Sequence, residues 1–394
     1  MVRHIAVLIP LLPFLTFLSS CYCEDCGGWG YEYEAPIEEW LVPTLREVEW
    51  SMEYTNLGTV TINDIAATDD DGFFLIGTYT GTNGAHGIYI GRMADDGRRI
   101  WDGHYGGDGE HIGQAVVATP DGGCLIAGGW EAGVGPFDEQ YYQLYLTKID
   151  RDGVGEWDSL YGNFNFNRFP TDMAVMPDGS VVITGQRDRS IAYSDALLMR
   201  VDGAGRILWE KWLGTAGNDM GDEVVVADDG TIAVTIRMND QSQSAHSYWR
   251  SVTFVGVDGR VMHERRDTAE TSYRQRRIAS TGNDFIIADL MTDVREKEKL
   301  SLLRINSRGE RMWELTTPTE SYYSLALLPD PAGGVTWFNT SATFYETEAQ
   351  GRIDGPFGLD SYTPISAVAR TSDGGVLAVG NRWGSVHVTK IAAR

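Results

Sequence analysis

Two histidines and two acids crowd one glycine-rich stretch of this chain: His104, Asp108, Glu110 and His111, in HYGGDGEHIG. Imidazoles and carboxylates bind metals and carry protons. The two histidines stand seven residues apart, however, and no H-E-x-x-H spacing puts them on one helical face. The stretch therefore reads as a solvated turn. Asp150-Arg151-Asp152-Gly153 opens like a calcium loop, with Gly155 at the sixth position. Val154 at the fifth and Tyr161 at the twelfth offer no carboxylate, so this too reads as a turn. Asp69-Asp70-Asp71 reads as a charged hairpin tip. Arg187 and Arg189 flank Asp188 in a mixed-charge loop that could meet an acidic ligand. The chain carries no G-x-S-x-G, no P-loop and no dinucleotide fingerprint between a strand and a helix. No catalytic residue, metal or cofactor is assigned.

These residues sit in connections, so the elements around them decide where they point. Two turn signals recur. The first is Asp71-Gly72, Asp121-Gly122, Asp178-Gly179, Asp229-Gly230, Gly282-Asn283, Gly333-Gly334 and Asp373-Gly374. Its glycines are spaced 50, 57, 51, 52, 51 and 41 residues apart. The second is Gly97, Gly153, Gly205, Gly259, Gly309 and Gly351, spaced 56, 52, 54, 50 and 42. The two series interleave without a skip. Asp-Gly suits tight hairpins because they need positive φ. Strand-sized apolar runs lie between the turns, giving four strands in each unit of about 50 residues, the pattern of a propeller blade.

Trp50, Trp101, Trp157, Trp209 and Trp313 share one repeat position, with His263 standing in for a sixth. They are expected to pack between neighbouring sheets. A basic residue followed by an apolar one closes most third strands: Arg92-Met93, Lys148-Ile149, Arg200-Val201, Arg304-Ile305 and Lys390-Ile391. These read as structural cations paired with acids. The seventh unit ends after its third strand, and the strand it lacks is found in Arg46–Tyr54, which carries Trp50. The expected fold is all-β: a β-propeller of seven four-stranded blades, the last closed by that N-terminal strand. Such closure hides two sheet edges.

The pattern W-x-x-x-Y-G-G, T-x-D-G-G, I-x-G and K-I-D-x-x-G-x-x-x-W resembles the seven-bladed β-propeller repeats of secreted bacterial lipoproteins. More loosely it is similar to quinoprotein-type propellers. The resemblance covers residues 46–394 and is sharpest in repeats two to four. Repeat six has ETEAQGRIDG and no tryptophan. The resemblance implies an envelope scaffold and no particular reaction.

Residues 1–20 have a short basic start and an apolar run, Ile5–Leu18, of signal-peptide length and too short for an ordinary membrane span. The run ends in Leu18-Ser19-Ser20-Cys21, which resembles the bacterial lipobox and implies a lipid on Cys21. Residues 21–45 then form a tether and 46–394 the propeller. Cys23 and Cys26 would be left as a C-x-x-C pair able to close a small disulfide in an oxidising compartment. Cys124, inside CLIAG, reads as a buried side chain. Tyr22 is not the aspartate that retains some lipoproteins at an inner membrane, so a diderm cell would place the chain at its outer membrane.

The formal net charge is −24 and the acids are spread along the chain. Such a surface repels phosphate backbones, so nucleic acid is not an expected partner. In a propeller, the crossings between blades and the hairpins between second and third strands gather at one end of the axial channel. His104, Tyr105, Glu110, His111, Trp130, Asp138, Arg168 and Asp219 are expected on that face. The function expected is a lipid-anchored, monomeric, non-enzymatic scaffold binding a protein or polysaccharide at the cell envelope. The alternative is a propeller enzyme, either a quinoprotein-like oxidoreductase or a polysaccharide hydrolase or lyase.

Overall fold

The computed structural model describes residues 44–393, apart from 56, 83, 106–109, 135–139, 163–165, 191–192, 241–246, 267–271, 293–297, 319–324, 340–342 and 359–363. Cys21, Cys23, Cys26, Asp108 and Asp138 lie outside the described residues, as do the segment expected to be a leader (1–20) and nearly all of the one expected to be a tether (21–45).

Seven antiparallel sheets form, one per sequence repeat. The first blade runs from its inner to its outer strand as β3 (Thr59–Ala67), β4 (Phe73–Thr80), β5 (His86–Met93) and β6 (Arg99–Tyr105). The second is β7 (His111–Ala118), β8 (Cys124–Val134), β9 (Gln140–Ile149) and β10 (Gly155–Tyr161). The third is β11 (Arg168–Val175), β12 (Val181–Ser190), β13 (Tyr193–Val201) and β14 (Ile207–Leu213). The fourth starts on β15 (Asn218–Val226), the fifth on β19 (Ser272–Thr281) and the sixth on β23 (Leu325–Pro329). The seventh holds β27 (Ala367–Arg370), β28 (Val376–Arg382) and β29 (Ser385–Ile391). Its outer strand is β2 (Val48–Tyr54), antiparallel to β29. The expected closure is therefore the observed one. It is also doubled, because β1 (Thr44–Leu45) pairs parallel with β26 (Ile353–Gly358) at the outer edge of blade six.

The core is a ring rather than a centre. Seven apolar clusters lie between adjacent blades. The middle strands carry continuous apolar runs because both of their faces are covered. Along β4, Phe73 and Leu75 pack toward blade seven while Phe74 and Ile76 pack toward blade two. Outer strands such as β10 alternate between half-buried and exposed. Cys124 is fully buried, and burial pushes its thiol up to about 12.

The recurrent residues pin this ring. Each tryptophan is on an outer strand and reaches the turn between third and fourth strands of the next blade. The indole nitrogens of Trp101, Trp157 and Trp209 donate to the carbonyls of Arg151, Gly203 and Val257 at 3.0, 3.1 and 3.0 Å. Each indole lies against the glycine of the turn it reaches. At Gly153, where φ is 86°, a Cβ would stand 2.9 Å from the Trp101 ring, so the latch needs glycine for both reasons. The strand-end cations hold the first turns: Arg92 pairs with Asp70, Lys148 with Asp121, Arg200 with Asp178, Arg304 with Asp284 and Lys390 with Asp373.

One turn departs from the expected register. In blade one the positive-φ residue is Asp71 (φ 62°) and not Gly72, because that turn is one residue out of step with Gly122 and Gly179.

Candidate functional site

The innermost strands place their bulges on the axis. Register breaks fall between Ile62 and Asp64, Gly113 and Ala115, Pro170 and Asp172, and Gly221 and Val224. A bulge re-aims side chains, here into an axial channel of about 230 Å³. One position in each blade, seven residues before the positive-φ turn residue in six of them, forms a ring of Asp64, Ala115, Asp172, Glu223, Ala326 and Ala367. Arg277 completes it from blade five, where the turn is tighter.

The ring's carboxylates clasp the neighbouring blade. Asp64 accepts from the N–H groups of Ile65 at 2.8 Å and of Val116 in blade two at 2.9 Å. Asp172 does the same with Met173 and with Val224 of blade four, each at 2.8 Å. Glu223 accepts from Ile278 N–H of blade five at 2.9 Å and from Arg277 at 2.7 Å. Asn63 and Thr171, one residue earlier, donate to the carbonyls of Gly113 and Gly221 at 2.6 and 2.8 Å. Desolvation in the narrow channel raises all three acids. Asp64 goes to about 7, against the pull of its two N–H donors and with a push from the Glu223 charge. Asp172 is raised well above the ordinary range by burial and by Glu223. Glu223 is raised by burial, with Arg277 opposing. The spacing of this column in the sequence was the available signal for these residues, once the repeats are aligned on their turns.

The expected face residues separate into three groups. His111 opens β7 and is buried; its ring stacks on Trp130 at 4.0 Å, and Trp130 meets Tyr145 at 4.9 Å. Its Nδ1 accepts from Glu131 N–H at 3.2 Å, so the neutral ring carries its proton on Nε2. Burial lowers its pKa although Glu131 and Glu110 pull the other way. Glu110 donates its N–H to Glu131 at 2.7 Å and faces His86 at 3.5 Å. His104 is exposed on the outer strand of blade one, 4.4 Å from the Tyr79 ring, with half-buried Tyr105 beside it. Asp219 is fully buried and caps Thr215; burial raises its pKa. His111 and Asp219 are both buried, and each satisfies backbone N–H of its own blade. Among the described residues no group of three or more His, Cys, Asp or Glu side chains could hold a metal ion.

The third group lies in the cleft between blades two and three, where the chain crosses from β10 to β11. Gly162, Phe166, Asn167, Arg168 and Arg187 enclose about 230 Å³. Arg168 and Arg187 are direct cross-strand partners. Arg168 forms a two-pronged pair with Glu210 at 2.8 and 3.2 Å. Arg187 lies 3.7 Å over the ring of Trp212, whose residue is 57% exposed. The Trp212 indole nitrogen donates to Glu210 at 2.7 Å. Sequence alone pointed to Arg187 and Arg168 separately; only the strand register brings them together.

The described fold is a seven-bladed β-propeller. Among solved structures it is similar to a streptogramin B lyase, at 12% identity and a TM-score of 0.57, over 87% of this chain and 97% of that one. It is similar to a catalytically inactive virginiamycin B lyase from Staphylococcus aureus with quinupristin, at 13% identity and a TM-score of 0.58, over 87% and 99%. The WD40 domain of Pan2 from Neurospora crassa matches at 11% identity and a TM-score of 0.57, over 89% and 98%. No protein-family model and no curated protein matches the chain. Identities this low define the fold alone.

Proposed function

We propose that this protein is a lipid-anchored propeller of the cell envelope, of the secreted lipoprotein repeat type, that binds a protein or polysaccharide partner without turning it over. The carrying observation is the division of labour among its polar groups. The channel carboxylates each spend their oxygens on backbone N–H groups or on Arg277. Exposed aromatic surface is instead found at Trp212, on which the half-buried guanidinium of Arg187 stacks. Exposed aromatics beside guanidinium groups are the usual anchors of binding surfaces. Leu18-Ser19-Ser20-Cys21 supplies the address and the membrane attachment.

Intact mass and fractionation of the full chain, wild type beside Cys21→Ser, test the anchor. An acyl mass and membrane pelleting, both lost in the variant, are expected. Soluble, unmodified protein in both arms overturns the anchor. Turnover of a polysaccharide or a quinone-linked substrate by the purified chain replaces binding with catalysis. Loss of that turnover in Glu223→Gln would then assign it to the channel acids, whose raised pKa values suit proton transfer.

A further inference from the structure

We propose that the cleft between blades two and three is a binding site for a carboxylated sugar, with Arg187 gripping the carboxylate and Trp212 offering its open face to the sugar ring. The inference rests on the binding reading above and names its ligand class.

The starting point is a conflict. Arg168 and Arg187 stand directly opposite one another on β11 and β12, and like charges so placed destabilise a sheet. Glu210 answers the charge of Arg168 through two hydrogen bonds. Among the described residues no carboxylate forms an ion pair with Arg187. Its cross-strand neighbour on β13 is Asp195, which is buried, and Asp188 beside it is engaged by Asn167 at 2.8 Å and Gln186 at 3.0 Å. The guanidinium of Arg187 instead rests on the Trp212 ring and lines the cleft. Among the described residues the space is lined by the Arg168 and Arg187 guanidinium groups, the Asn167 amide, the Phe166 ring and Gly162, none of them a carboxylate, and Trp212 stands beside it under Arg187.

A planar fork of donors matches a carboxylate in two-pronged geometry. The neighbouring indole selects the rest of the ligand. One face is covered by Arg187, its nitrogen is committed to Glu210, and the residue remains 57% exposed. An apolar plane of that kind beside a cation suits a molecule with a flat C–H face and an acid group, which is the chemistry of a uronic acid. The net charge of −24 does not forbid this. At physiological ionic strength charges beyond ~8 Å are screened, so a docked carboxylate responds mainly to the local pair of arginines.

Calorimetry on the full chain in detergent tests the site with four probes: trigalacturonate, its methyl ester, acetate and hexaglutamate. Saturable binding of trigalacturonate is expected, with the ester at least about tenfold weaker because it lacks the charge-assisted contact, and acetate also at least about tenfold weaker because it lacks the ring. Arg187→Ala should remove it, and Arg187→Lys should not restore it, because an ammonium lacks the fork. Trp212→Ala should weaken trigalacturonate about tenfold and leave acetate unchanged. Unaltered thermal midpoints would show that the variants fold. Equal binding of the methyl ester, stronger binding of hexaglutamate, or no trigalacturonate binding each overturns the proposal. Capture of an envelope partner by a chain that ignores trigalacturonate would reject this site and leave the binding reading standing.

Discussion

The indole nitrogen of Trp50 donates to the carbonyl oxygen of Asp95 at 3.0 Å, so blade seven is latched to blade one by the same bond that joins its successors. The Tyr54 hydroxyl adds a bond to the Gly97 carbonyl of the same turn. Trp313 latches blade five to blade six through Ala349 at 2.8 Å. Two interfaces lack the tryptophan: between blades four and five His263 takes its place against Gly309, and between blades six and seven Gly355 stands in the position, with no ring at all. The reason at the second is topological. Blade seven has no turn between third and fourth strands, because the chain's two ends lie there, so an indole would have nothing to grip. Thr44–Leu45 pairs with blade six instead, and Arg46 lies 5.2 Å over the Phe357 ring and 3.6 Å from Glu346.

Replacing a latch should cost more than its hydrogen bond. Trp101→Phe is expected to lose about 1 kcal/mol, the net worth of the bond. Trp101→Ala is expected to lose about 2–3 kcal/mol, because the half-buried ring also leaves the cleft over Gly153. Urea unfolding of the two variants checks this; equal losses would show that the bond contributes nothing.

Removing the N-terminal closure should act in two steps. A chain starting at residue 48 keeps β2 but loses Thr44–Leu45 and Arg46, and should unfold at a slightly lower urea midpoint while remaining monodisperse. A chain starting at residue 56 loses β2 and bares the edge of β29, an open template for pairing. Light scattering should find that second chain aggregated. A monodisperse second chain would show that the ring does not need its clasp.

The blades were legible because each turn demands backbone that only a few residues tolerate, and those residues recur. Trp50 and the truncated seventh repeat together made the closure readable. The channel acids were harder to see. Asp64, Asp172 and Glu223 each follow another polar residue (Asn63, Thr171 and Asp222) in strands of mixed character, and nothing short of register shows that a bulge turns them to the axis. The rim was harder still. Arg168 and Arg187 lie nineteen residues apart in sequence and become neighbours only through strand pairing. His111 lies in a stretch that reads as a solvated turn, whereas Trp130, nineteen residues on, covers it.

Lys148 should be less replaceable than its surface partners. Its ammonium is nearly buried, 2.8 Å from Asp121 and 3.7 Å from Glu156. Asp121→Asn leaves that charge with one distant partner and should destabilise by about 2 kcal/mol, less than a fully buried pair because Asp121 is half exposed. Adding Lys148→Met should recover much of the loss. A double variant as unstable as the sum of the singles would show that the two residues do not interact.

The channel acids set the direction of the pH dependence. Asp64 sits at about 7 in the folded chain against 3.8 unfolded, and Asp172 and Glu223 are also raised. A carboxyl raised by folding binds its proton more tightly in the native state, so its contribution is full below pH 3.8 and is lost as pH rises through 7. Asp373 works the opposite way. Lys390 first, then Thr371, hold it at about 2, so its contribution is present above 3.8 and is lost as pH falls through 2. The wild-type thermal midpoint should therefore fall between pH 4 and pH 7 and drop again below pH 3. Asp64→Asn should flatten the first decline, because the amide cannot ionise, and leave the acid limb unchanged. It should also start lower, since an amide has one accepting oxygen, whereas the carboxyl accepts from Ile65 N–H and Val116 N–H on its two. A wild-type midpoint that rises from pH 4 to pH 7 would mean that the N–H donors outweigh desolvation and keep these carboxylates charged throughout.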